Sequence, residues 1–345
     1  MLAGCWCRPA QQLLLLMLLT TAGLLLIGLT SLREPALGVL PRPALQSTVP
    51  RTAAPVPAGP VPRPGRLRRC PTPSRLLSIN SAGRLGNIMS EYATLLAAAG
   101  ELRRPAWLHP DMARTLAVYF GRLWVPVLPI SCRVNWTTIS TEELMAKRPD
   151  SDTNHMIGGF PHAVPLFHPL RARLLRDFTF RKELRQRADL RLAELAYQAA
   201  VTAPTFIGVH VRRTDYSTWL ARSVRGRVAG VSYLRRAVAL MKSRHRNSLF
   251  VVVSDDPEWC RKNLRGLQRV VVAGDGVQNR PGADLALLAA CNHTVVTHGT
   301  FGFWAAYLAG GEVVAPTGYG RRPTGLEQDV RRARLGWTWL PAKGQ

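Results

Sequence analysis

The stretch Thr205-Phe-Ile-Gly-Val-His-Val-Arg-Arg-Thr-Asp-Tyr216 gathers more reactive side chains than any other run of the chain. Arg212 and Arg213 are adjacent, His210 precedes them and Asp215 follows. A guanidinium is a planar fork that matches phosphate oxygens bidentately and stays charged at any pH near neutrality. Two in succession ask for an anion, and the diphosphate of a nucleotide is the leading candidate. The plainer reading is a surface arginine pair answered by Asp215. Asp215 is a candidate base for a hydroxyl group, and more simply a carboxylate that orients the arginines.

The residues before this cluster indicate where it must sit. Phe206, Ile207, Val209 and Val211 form an apolar, β-branched run, the pattern of a buried strand. Charged residues at the carboxyl end of a buried strand line the crevice of an open α/β sheet. Two further strand-like runs end in polar residues. Leu249-Phe-Val-Val-Val-Ser254 leads into Asp255-Asp256, and Pro257 suits the first turn of a helix. Thr294-Val-Val-Thr297 leads into His298-Gly-Thr-Phe-Gly302, with Thr300 placed as the N-cap of a helix reaching Leu308. If these strands are parallel neighbours, Arg212-Arg213, Asp255-Asp256 and Thr300-Phe301 converge. A helix amino terminus beside two arginines then forms a diphosphate cradle.

A second strand-loop-helix unit lies earlier. Leu76 to Asn80 reads as a strand, Ser81-Ala-Gly-Arg-Leu-Gly-Asn87 as a glycine loop, and Ile88 to about Leu102 as a helix with Met89, Tyr92, Leu95, Leu96 and Ala99 on its core face. Gly83 and Gly86 permit close approach, while Arg84 and Asn87 reach into a cleft. Glu91 is expected in the first turn, where a carboxylate suits the helix dipole; it is also a second candidate base. Residues 181–200 read as a basic amphipathic helix. His155, His162 and His168 lack metal-ligand spacing. Residues 217–230 read as a loop rich in Gly and Arg, followed by a helix over 231–244. Val270 to Ala273 reads as a strand and Asp284 to Ala290 as a helix. This βαβα alternation argues for a parallel sheet covered by helices on both faces.

The appendages set the context. Residues 9–32 carry no charge and are rich in Leu, enough to cross roughly 30 Å of hydrocarbon. They read as a signal anchor in preference to a cleaved signal peptide, whose apolar core runs about 7–15 residues. Residues 33–75, rich in Pro, Ala and Arg, read as an extended stem. The net charge of +25 suits a phosphorylated ligand, an anionic membrane or nucleic acid. Its even spread, the anchor and the stem exclude the nucleic-acid reading. Of six cysteines, Cys70, Cys132, Cys260 and Cys291 follow the anchor, on the side expected to be lumenal, and spacing cannot choose among their three pairings. Asn135-Trp-Thr137 and Asn292-His-Thr294 fit the glycosylation pattern.

His210-Val-Arg-Arg-Thr-Asp-Tyr216 resembles the HxRRxD motif of α1,2- and α1,6-fucosyltransferases. Ser81 to Asn87 with Ser90-Glu-Tyr-Ala93, and Asp284 to Thr294 continuing through Thr300 to Gly311, resemble the amino- and carboxyl-terminal motifs of galactoside α1,2-fucosyltransferases. The resemblance spans about residues 76–314. It implies a GT-B-like α/β fold of two facing Rossmann-like halves, 76–200 meeting the acceptor and 201–345 binding GDP-fucose. These halves follow a cytosolic tail (1–8), the anchor and the stem of a single-pass type II Golgi membrane protein. It implies transfer of fucose from GDP-β-L-fucose to the 2-hydroxyl of a terminal β-galactose on glycoprotein or glycolipid glycans, with inversion and without a metal or other cofactor, and it admits a homodimer. Carried onto this sequence, Arg212 and Arg213 hold the diphosphate, His210 and Asp284 contact guanosine, Thr300 and Phe301 donate to phosphate, and Asn87 approaches from the other half. Asp255-Asp256-Pro257 looks more like the α1,6 enzymes, and Ile88 stands where many relatives have Gln. A silent, membrane-anchored glycan-binding relative and a transferase of another nucleotide sugar are the alternatives.

Overall fold

A computed structural model of the chain describes residues 70–342, apart from 73, 150–151 and 275–280. The tail, anchor and most of the stem lie outside the described residues. No helix among the described residues is long and apolar enough to cross a membrane.

The amino-terminal part contains β1 (Leu77–Ile79), α1 (Leu85–Glu101), α2 (Pro110–Ala117), β2 (Thr137–Ile139), α3 (Thr141–Lys147), β3 (His155–Ile157), α4 (Val164–Phe167), α5 (Arg171–Asp177) and α6 (Lys182–Gln198). Its strands form a three-stranded parallel sheet in the order β1-β3-β2. Isolated bridges Leu77–Ala106 and Leu108–Val127 continue the pairing beyond β1.

The carboxyl-terminal part contains β4 (Thr205–Val211), α7 (Thr214–Val224), α8 (Val231–Arg244), β5 (Ser248–Ser254), α9 (Pro257–Asn263), β6 (Val270–Val272), α10 (Pro281–Ala289), β7 (His293–Val296), α11 (Gly299–Ala309), β8 (Val313–Thr317), α12 (Gly325–Arg332) and β9 (Thr338–Pro341). Its sheet is parallel throughout, in the order β6-β5-β4-β7-β8-β9. The chain works outward from β4 in one direction and then restarts at β7 in the other. The reversal lies between β4 and β7, and crevices for ligands open beyond the carboxyl ends of the strands at such a switch point.

Four expectations change. Residues 214–224 are helical, and only 225–230 form the loop. The stretch holds no Gly or Pro before Arg225, and Leu220 and Val224 give it a buried face. Thr300 is the second residue of α11, whose N-cap is His298 without a side-chain cap bond. α1 begins at Leu85, so Glu91 lies beyond its first turn. This helix is also buried on nearly every side, including Ser90, Glu91 and Thr94, because the first sheet covers one flank and α11 the other. Its contact with α11 is polar as well as apolar: Trp304 Nε1 donates to Ser90 Oγ at 2.9 Å.

An aromatic cluster backs this contact. Trp304 lies 5.0 Å from Phe178 and 5.6 Å from Phe167 between ring centroids, and Phe178 packs on Tyr92 at 5.4 Å. Such pairs add about 0.5–1.5 kcal/mol each beyond burial. Tyr92 donates its hydroxyl to the buried Asp177 at 2.5 Å, and Arg173 pairs with the same carboxylate at 3.1 Å.

Candidate functional site

The strand ends converge as expected, and backbone bonds fix how. In the register, Val211 faces Ser254 and His210 faces Val296, so β4, β5 and β7 finish level with one another. Arg212 N–H donates to Thr297 Oγ1 at 2.8 Å, and Arg213 N–H donates to Asp255 Oδ1 at 2.9 Å. The turn after β4 is thereby tied to both neighbouring strands.

Asp255 is the organising carboxylate. It also accepts from the Thr214 N–H at 3.2 Å and the Thr214 hydroxyl at 2.5 Å, and pairs with Arg212 Nη1 at 3.2 Å. Its side chain is only 6% exposed, and its oxygens hold the turn. Asp215 accepts from Arg212 Nη2 at 2.6 Å and lies 3.4 Å from Arg84 of the glycine loop. Two guanidinium groups flank this carboxylate.

The two arginines diverge. Arg212 lies at the switch point between Asp215 and Asp255. Arg213 turns aside, its guanidinium 3.6 Å above the Trp259 ring and 3.4 Å from Asp256. Asp256 in turn accepts from Trp259 N–H at 3.1 Å as the cap of α9. Both guanidinium groups are largely buried, with side chains 18% and 21% exposed, and each is paired with a carboxylate.

The amino terminus of α11 completes the crevice. Its first N–H groups have no intrahelical acceptor and carry the positive end of the helix dipole. α1 approaches it closely because Gly86 has no side chain: a Cβ there would lie 2.6 Å from Phe301 N and 2.8 Å from Thr300 C. Asn87 Oδ1 accepts from the Thr300 hydroxyl at 2.6 Å. Asn87 and Thr300, both expected at the ligand, thus bind each other across the two halves. Phe301 is half-buried beside them.

His210 is 5% exposed, and its ring lies 5.3 Å from that of Phe301. A side chain at Gly302 would come within 2.5 Å of its Nδ1. The imidazole is thus covered by α11 and shapes the crevice floor. Burial, then the Arg212 charge, lowers its pKa to about 4. Asp284 is half-buried in the first turn of α10, with Oδ1 3.6 Å from a Cβ built on Gly274. This puts it beyond β6, on the β6-β5 side of the switch point. Asn135 and Asn292 are exposed, and Asn292 Oδ1 also accepts from the Phe206 N–H at 2.9 Å.

The sequence profile described as "Glycosyl transferase family 11" matches residues 58–337. The chain belongs to glycosyltransferase family 11. It is 41% identical over 251 residues to galactoside alpha-(1,2)-fucosyltransferase 2 of Sus scrofa, covering 70% of this chain and 72% of that one. It is 42% identical over 238 residues to galactoside alpha-(1,2)-fucosyltransferase 1 of Homo sapiens, covering 67% and 65%. Among solved structures it is similar to fucosyltransferase NodZ from Bradyrhizobium, with 17% identity, a TM-score of 0.48, and coverage of 68% of this chain and 93% of that one.

Three features of the structure could not be read from the sequence. Glu91 is fully buried; its Oε2 accepts from Ala82 N–H at 3.2 Å, tethering the glycine loop, while Oε1 has no hydrogen-bond partner among the described residues. Burial raises its pKa to about 8, which favours the protonated carboxyl near neutrality. His298 Nε2 accepts from Ala229 N–H at 2.9 Å, and its ring stacks on Tyr216 at 5.6 Å and meets Tyr319 edge-on at 4.7 Å. Burial holds that imidazole neutral, with its pKa near about 3. It pins the 225–230 loop against the site. Finally, Cys70 and Cys132 form a disulfide, while Cys260 and Cys291 are buried free thiols. The sequence singles out Glu91 and the four cysteines but not their burial or pairing, and it places His298 only at a strand end. Among the described residues no cluster of three or more His, Cys, Asp or Glu side chains could hold a metal ion.

Proposed function

We propose that this chain transfers L-fucose from GDP-β-L-fucose to the 2-hydroxyl of a terminal β-galactose, with inversion to an α1,2 linkage. Arg212 carries the reading. It is a guanidinium held by Asp215 and Asp255 at the β4/β7 switch point, beside the amino terminus of an 11-residue helix, in a chain about 41% identical to galactoside α1,2-fucosyltransferases. The donor's diphosphate lies against Arg212 and the first N–H groups of α11. As the bond from the anomeric carbon to phosphate breaks, the sugar gains oxocarbenium character and negative charge gathers on the departing GDP. Groups already aimed at that charge lower the barrier because they need not reorganise. The 2-hydroxyl attacks the opposite face of the anomeric carbon, which converts β to α, and its proton passes to Asp215, the exposed carboxylate beside Arg212, directly or through one water. Asp215 orients Arg212, and Glu91 stays protonated. The positive charge comes from the protein, so the reaction needs no metal.

The two parallel sheets suit a GT-B-like pair of halves, 76–200 toward the acceptor and 201–345 toward the donor. The charge-free 9–32 segment supports a type II Golgi membrane anchor, and the Cys70–Cys132 bridge suits an oxidising lumen. The test is full-length chain with GDP-fucose and a panel of β-galactosides, with and without EDTA. Acceptor-dependent GDP release and an α1,2-linked product in both conditions are expected. GDP binding without release across the panel sinks the reading in favour of a silent relative. Turnover with a different nucleotide sugar alone redirects it to another donor.

A further inference from the structure

The loop after β3 holds an aromatic ring that the fold does not use. Gly158-Gly-Phe-Pro161 leaves the carboxyl end of β3, the central strand of the first sheet. Phe160 is 59% exposed. A single bare apolar side chain needs no explanation on most surfaces. This one differs in its place. The ring and the Asn87 amide meet over Gly83, where a Cβ would lie 3.1 Å from Phe160 Cε1. Gly83 also has φ of +77°, so both conformation and space exclude a side chain. Asn87 binds Thr300 at the amino terminus of α11, so the ring stands one side chain away from the donor crevice.

The loop is also fixed at both ends. Asn80 Nδ2 donates to Gly159 O at 3.2 Å, and its N–H donates to Ile157 O at 3.0 Å. Two residues beyond Phe160, His162 Nδ1 lies 2.9 Å from Asp329 Oδ2 of α12. A bare aromatic face on an anchored loop is preorganised for a ligand, because little freedom remains to be lost on binding.

We infer that Phe160 is the stacking platform for the acceptor galactose. The inference rests on the galactoside reading above. The axial 4-hydroxyl of β-galactose leaves the C–H groups of carbons 3, 4 and 5 on one face, an apolar patch that fits an aromatic ring. Stacked there, the sugar keeps its hydroxyl-bearing edge toward the donor crevice. Phe160 thus selects and places the acceptor without touching the nucleotide.

The test uses full-length chain carrying Phe160→Ala, Phe160→Tyr or Phe160→Trp, with Ile130→Ala as a control at another bare apolar residue, 83% exposed. Phe160→Ala should raise the KM for a β-galactoside about tenfold, with kcat and the GDP-fucose KM moving less than about twofold. The aromatic replacements should restore it. An unchanged acceptor KM in Phe160→Ala, or an equal rise in Ile130→Ala, overturns the platform. Ligand-observed NMR of methyl β-galactoside in the presence of GDP separates this from the transfer reading. If the wild-type chain binds the sugar without transferring fucose, and Phe160→Ala abolishes the signal, the platform stands and the transfer falls. Absence of sugar binding by the wild-type chain overturns the platform.

Discussion

Arg212 and Glu91 sit in opposite surroundings, one among carboxylates and one among apolar side chains. Arg212 is held between two carboxylates, and its loss leaves Asp255 with the N–H groups of Arg213 and Thr214 and the Thr214 hydroxyl. Arg212→Ala should therefore fold. It should lower kcat by about 10²–10³, as removal of a preorganised donor commonly does. Arg212→Lys should restore little, because an ammonium is not a bidentate fork. Steady-state GDP release in a variant with native circular dichroism checks both. Glu91 tests the opposite case. Its pKa rises from 4.5 in the ordinary state to about 8 in the fold, so between these values the unfolded chain ionises while the fold keeps its proton. This contribution to stability is full below about pH 4.5, falls as pH rises, and levels off above about pH 8. Glu91→Gln keeps the oxygen that accepts from Ala82. Its melting temperature should exceed that of the wild type at pH 7.5, and the difference should vanish toward pH 4.5. A difference independent of pH would refute the protonated state.

At the scale of elements, the decisive contact is α1 against α11. Gly86→Ala gains about 1 kcal/mol of helix propensity but puts a methyl group against the backbone of Thr300 and Phe301. Backbone cannot rotate away as a side chain can, so overpacking of about 1–3 kcal/mol should win. Lower melting temperature and weaker GDP binding by calorimetry are expected together, since α11, the helix proposed to meet the phosphate, is the one displaced. A stability loss with unaltered GDP affinity would uncouple α11 from the nucleotide. The same contact shows what was legible beforehand. β4, β5 and β7 announce themselves as apolar runs ending in polar residues, so their convergence could be read from the chain. β2 is three residues long with two of them exposed, and β3 has one half-buried residue of three. Such strands are too short to show a period. The side-to-side burial of α1 and the divergence of Arg212 and Arg213 depend on partners more than 40 residues away. No local pattern carries that information. Arginines and glycines made 217–230 look irregular, although Leu220 and Val224 already had helical spacing.

At the scale of the whole molecule, the disulfide joins the start of the described chain to the first half. Cys70 and Cys132 are 62 residues apart in sequence, so the link removes much of the freedom of an unfolded loop that includes β1, α1 and α2. Cross-links of this kind contribute about 2–4 kcal/mol. Cys132 borders a small cluster of Leu76, Trp107 and Leu128, separate from the aromatic core that joins α1 to α11. Loss of the bridge should therefore weaken the fold more than the chemistry. The double variant Cys70→Ser/Cys132→Ser should melt about 4–16 °C below the wild type, given about 2–4 °C per kcal/mol for a domain of about this size. Its GDP release at 25 °C should remain within about threefold, because Arg212 and α11 lie in the other half. Dithiothreitol should lower the wild-type melting temperature by a similar amount and leave the double variant unchanged, since Cys260 and Cys291 are already free thiols. Equal sensitivity of both proteins to the reductant would place the stabilising bridge elsewhere. Loss of activity without loss of stability would mean that the bridge positions the amino-terminal half instead of securing it.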